Sequence, residues 1–82
     1  MSKIFKTIEY ILVYASDPHP PNTEYRVAFG KEKWYKYIPV FKIQMVYNGK
    51  VSGRRSPSYP HGSDDYKRVQ KAMDDLYEKY SK

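Results

Sequence analysis

From Tyr66 to Tyr80 the apolar residues recur at three- and four-residue spacing: Tyr66, Val69, Met73, Leu76, Tyr77 and Tyr80, with Ala72 beside them. That period marks an amphipathic helix. Ser63 precedes it as a good N-cap, and Asp64 and Asp65 fall in the first turn, where the helix dipole favours negative charge. Pro60 and Gly62 stop whatever comes before. The spacing predicts a helix over about 64–81. Its opposite side reads Lys67, Arg68, Lys71, Asp74, Asp75, Glu78 and Lys79, with Lys71, Asp75 and Lys79 at pairing distance along the helix. On this reading Asp64/Asp65 and Asp74/Asp75 are surface carboxylates, accounted for by capping and ion pairing. A lone helix of this kind must bury its stripe against another element. A chain of 82 residues has room for one domain, so that element comes from residues 1–62.

Those residues read as strands, at about 7–15, 25–29, 34–47 and 50–55. Tyr25, Val27 and Phe29 alternate with Arg26 and Ala28. Phe41, Ile43, Met45 and Tyr47 alternate with Val40, Lys42, Gln44 and Val46. Asn48-Gly49 follows at once and is a strong hairpin signal. A two-residue turn there pairs Tyr47 with Lys50 and Met45 with Ser52. It also sets Lys50, Ser52 and Arg54 on the apolar face of the partner, which suits a short edge strand overhanging the core. Gly53 is a candidate bulge. Residues 8–15 form a near-continuous apolar run. Ile4, Phe5, Ile8, Ile11, Leu12 and Ala15 also fit one helix face, but β-branched and aromatic content favours a strand, and a central one. The expected fold is α+β and two-layered: a small antiparallel sheet of three or four strands, turning at Asn48-Gly49, packed on one C-terminal helix. Nothing in the chain is left to cover the other sheet face.

The chain has no cysteine, hence no disulfide and no thiolate metal site. No apolar run approaches the ~18–20 residues of a membrane span. The start carries positive charge, but Glu9 interrupts the apolar stretch and no small-residue cleavage site follows, so it reads as part of the fold and not as a signal peptide. A reduced, cytoplasmic compartment is the expectation. The net charge is +6, and its distribution is uneven. In residues 1–30, Lys3, Lys6 and Arg26 balance Glu9, Asp17 and Glu24; in 63–82 the charges also cancel. The excess lies in 31–62, where Lys31, Lys33, Lys36, Lys42, Lys50, Arg54 and Arg55 face Glu32 alone. Such a segment attracts phosphates or an acidic protein surface; it also keeps a small domain soluble.

Catalytic chemistry finds little support. A nucleophile needs a nearby base, and of the two histidines His61 sits in a proline-rich loop among Ser56, Ser58 and Ser63 with no acid placed to orient it. Asp17 and His19 flank a proline without the second ligand pair that zinc requires. Gly49-Lys-Val-Ser-Gly53 lacks the spacing of a phosphate loop. The expectation is a protein that is not an enzyme and carries no cofactor.

Binding is the better-supported class. Lys31–Tyr37 interleaves cations with aromatics: Lys33, Trp34, Tyr35, Lys36 and Tyr37. Single-stranded nucleic acid is held by that combination, cations tracking phosphates while rings stack on bases. Lys42, Lys50, Arg54 and Arg55 are further candidates for phosphate contact. Trp34 is a stacking candidate and also, as the single tryptophan of a thin domain, the ring a core claims first. Alternation gives Tyr35 and Tyr37 the better claim to exposure. Tyr35, Lys36, Tyr37, Lys42, Gln44 and Arg55 are the expected residues of the uncovered face. The element order, a small sheet with a basic hairpin and then a helix, is similar to that of the arm-type DNA-binding domains of phage integrases; in that family the sheet lies in the major groove. The resemblance covers element order and basic strands, with no aligned motif. The competing expectation is a protein-interaction module, an adaptor or a phage- or virus-encoded inhibitor of a host protein, using the same aromatic face. A homodimer through that face is a further possibility of partner.

Overall fold

The computed structural model describes residues 4–81. Residues 1–3, with Lys3 and part of the signal-peptide reading, and Lys82 lie outside the described residues. Among the described residues the chain forms four strands and one helix: β1 (Phe5–Tyr14), β2 (Thr23–Lys33), β3 (Tyr37–Tyr47), β4 (Lys50–Ser52) and α1 (Asp65–Tyr80). The strands form an antiparallel meander in the order β1-β2-β3-β4. Asn48 and Gly49 both have positive φ, as the two-residue turn requires, and Met45 pairs with Ser52 and Tyr47 with Lys50.

Alternation sets the two faces. The register aligns Val13–Tyr25–Met45, Ile11–Val27–Ile43 and Glu9–Phe29–Phe41 across three strands. These rows face α1, whose Val69, Ala72 and Leu76 are buried against them. Tyr80 stacks on Phe29 at 4.4 Å between ring centroids, and Tyr77 leans on Phe41 at 5.7 Å. The residues between, Tyr10–Ala28–Lys42 and Leu12–Arg26–Gln44, form the uncovered face.

Several boundaries differ from the sequence reading, β1 and β2 each starting two residues earlier, and three of the differences have a visible cause. β2 runs on past Phe29 because Gly30 admits a close crossing: a Cβ there would lie 2.2 Å from the Lys6 carbonyl oxygen and 2.9 Å from the Phe5 ring. β3 starts at Tyr37, not 34, because residues 34–36 make the turn, with the Trp34 amide donating to the Lys36 carbonyl at 3.0 Å. β4 ends at Ser52, before Gly53, because the chain there leaves the sheet edge for the helix side. β1 is an edge strand, not a central one.

Asp65 is not a surface carboxylate but fully buried. Its Oδ2 accepts from the Ser16 amide at 2.9 Å and lies 2.8 Å from the Tyr25 hydroxyl. Its Oδ1 accepts from the Ser16 hydroxyl at 2.6 Å and from Arg68 at 2.5 Å. The N-cap position falls on Asp64 without a side-chain cap bond, while the Ser63 hydroxyl accepts the Asp65 amide at 3.3 Å. The helix start is thereby tied to the end of β1 and the middle of the sheet.

Candidate nucleic-acid interface

α1 ends at Tyr80, over Phe29, while β2 and β3 continue beyond it to Lys33 and Tyr37. The far end of the β2–β3 hairpin therefore overhangs the helix layer. On its helix side the register places Lys6 beside Lys31 and Lys33 beside Tyr37. The ammonium groups of Lys6 and Lys33 lie 4.8 and 5.7 Å from the centre of the Tyr37 ring. Lys36 sits in the turn with Trp34 and Tyr35, which are 53% and 88% exposed. Trp34 is thus not claimed by the core: it stands at a hairpin tip, beyond the end of α1.

Glu32 is the sole carboxylate of residues 31–62. Strand alternation turns it to the opposite, uncovered face, where it is buried and ion-paired with Lys42; the Lys42 ammonium also lies 4.9 Å from the centre of the Phe5 ring. Lys42 is therefore neutralised in place. No ion pair to Lys6, Lys31, Lys33 or Lys36 occurs among the described residues. The geometry separates charges that the sequence mixes: acid and Lys42 on one face, bare lysines on the other and at the tip.

The remaining candidates are elsewhere. Lys50 pairs with Tyr47 at the opposite end of β3, roughly 33 Å away at strand rise. Arg54 is exposed just past β4. Arg55 lies 5.4 Å over the Tyr47 ring on the helix side and lines a groove of about 350 Å³ with His19, Ser58 and Tyr59. Lys42 and Gln44 do lie on the uncovered face, but Tyr37 and Arg55 are on the helix side and Tyr35 and Lys36 at the tip. The sequence reading thus joined two basic clusters into one. It missed Lys6, because only the β1–β2 register brings that residue to Lys31. It also missed the exposed row Tyr10, Leu12 and Tyr14, where Arg26 lies 4.5 Å over the Tyr10 ring and bonds Gln44 and Thr7.

No protein-family model matches the chain, and neither a curated protein nor a solved structure matches it. The likeness to integrase arm-binding domains accordingly rests on element order and basic strands. Among the described residues no helix is long and apolar enough to cross a membrane.

Proposed function

We propose that this chain is a small, non-catalytic nucleic-acid-binding protein whose contact element is the overhanging end of the β2–β3 hairpin. The observation that carries the reading is the sorting of charge there. Glu32 is turned away and paired, while Lys6 and Lys33 flank Tyr37, and Lys31 and Lys36 lie in the same overhang as two exposed rings. Lysines follow a phosphate chain; Trp34 and Tyr35 stack on unpaired bases, each stacked base contributing about 1–3 kcal/mol. A tip with aromatic faces favours a single strand over a duplex, whose bases are already stacked. Titrating single-stranded and duplex oligonucleotides against Trp34 fluorescence, at low and moderate salt, tests this. Quenching by single strands that weakens steeply with salt is expected, and Tyr35→Ala should cost about 1–3 kcal/mol. Absence of binding at low salt overturns the reading.

The second reading is an acidic protein surface at the same tip, as for an adaptor or an inhibitor of a host protein. The observation in its favour is the pairing of a half-exposed tryptophan with a highly exposed tyrosine, residue types that dominate protein hot spots. A stoichiometric partner that survives nuclease treatment in a pull-down, and is lost with Tyr35→Ala, would put this reading first.

A further inference from the structure

β1 has the sequence of a central strand and the position of an edge strand. Ile8, Tyr10, Leu12 and Tyr14 are 51%, 51%, 45% and 59% exposed along it. The backbone beside Tyr10 and Leu12 is open as well. Ala15 donates its amide to the Thr23 carbonyl at 3.0 Å, so strand alternation turns Val13 and Ile11 toward β2 in the same way. The amides and carbonyls of Tyr10, Leu12 and Tyr14 then point off the sheet. Consistent with this, Arg68 reaches the Tyr14 carbonyl from outside at 2.8 Å. A long, apolar edge with open hydrogen-bonding groups is a template for another strand.

We propose that β1 pairs antiparallel with β1 of a second copy about a twofold axis through Leu12. In that register Leu12 faces its own copy and Tyr10 faces the second copy's Tyr14, so the amides and carbonyls of Tyr10 and Leu12 and the Tyr14 amide each meet a partner, and the Tyr14 carbonyl accepts from the second copy's Tyr10 beside its own Arg68. The exposed Tyr-Leu-Tyr row becomes a continuous apolar strip across the joint. Charge does not oppose the pairing. Glu9, on the helix side, comes opposite the second copy's Ala15, near Arg68, and both are already balanced within their own copies, Glu9 by Lys79 and Arg68 by Asp64 and Asp65. The same arrangement recurs on the other side of the axis. α1 packs on β1 and β2 alike, so the two helices run antiparallel at roughly 10 Å, a normal packing distance. β1 becomes a central strand of an eight-stranded sheet, which is the position its sequence describes. The pairing is independent of what the hairpin tip binds.

Sedimentation and light scattering across micromolar to hundreds of micromolar concentration test it, with oxidative crosslinking to fix the register. The wild-type chain should be dimeric at the upper end. Leu12→Lys sets two ammonium groups face to face and should give a monomer with unchanged circular dichroism. The chain has no cysteine, so Leu12→Cys carries one thiol. Paired Leu12 positions lie about 5.5 Å apart between Cα atoms, within the ~4.4–6.8 Å of a disulfide, and Leu12→Cys should crosslink on mild oxidation. Tyr10→Cys, about 14 Å from its copy, should not. A wild-type chain that stays monomeric throughout, or Tyr10→Cys crosslinking as readily as Leu12→Cys, overturns the proposal. If Leu12→Lys fails to fold, the two cysteine variants still decide.

Discussion

The carboxylate of Asp65 holds three segments of the chain at one point: the end of β1 through Ser16, the start of β2 through Tyr25, and its own helix through Arg68. Burial alone would raise its pKa. The hydroxyl and amide of Ser16, the Tyr25 hydroxyl and the Arg68 charge outweigh that and hold it below the ordinary carboxylate value. The same contact, after burial itself, pushes the Tyr25 phenol well above its ordinary value. Because the folded pKa of Asp65 is lowered, its contribution is complete above the unfolded value of about 4. It is lost as pH falls through the lower folded value. Urea denaturation should show wild-type stability falling below about pH 4. Asp65→Asn removes the charge opposite Arg68 and should cost about 3 kcal/mol at neutral pH, with a shallower loss in acid. An equal acid loss in the variant would assign the effect to other carboxylates. Glu9 is lowered in the same direction by Lys79 and Tyr80, but it is only half-buried and held by surface contacts.

At the scale of elements, Gly30 decides how far the hairpin projects. With no Cβ it lets the β1 backbone and the Phe5 ring cross β2 where β1 carries its irregularity, between Thr7 and Glu9. Gly30→Ala has to displace a backbone carbonyl, not a flexible side-chain end, and should cost about 1–3 kcal/mol by overpacking, read in urea melts. It should also weaken oligonucleotide binding, since Lys6 hangs on the same crossing. Unchanged stability would mean that β1 shifts freely there. The helix, the alternation of β2 and β3 and the Asn48-Gly49 register were all legible in the sequence, because each rests on local period or turn chemistry. The end of β2 was not, because it depends on what Phe5 does across the sheet. Asp65 was misread for a related reason: an acidic residue in a first turn has a sufficient local explanation, and only the fold reveals the Ser16 amide and Tyr25 beside it.

For the whole molecule, the meander converts one basic stretch of sequence into two clusters at opposite ends of a body about 38 Å long. Composition made the excess charge plain, and the Lys33–Tyr37 candidates do come together. Their separation from Lys50, Arg54 and Arg55 depends on β3 running unbroken from Tyr37 to Tyr47, which no local signal states. The arrangement makes salt dependence diagnostic. Each phosphate contact on a single strand contributes about 0.7 to the slope of log K against log salt. Replacing Lys31, Lys33 and Lys36 with Gln should flatten that slope by about 2. The same change at Lys50, Arg54 and Arg55 should leave it unaltered for an oligonucleotide too short to span roughly 33 Å. With a longer strand the second cluster can join, and the wild-type slope should steepen only while those three residues are intact. Equal effects of both triple variants on the short oligonucleotide would place the contact surface along the body of the sheet and not at its overhanging end.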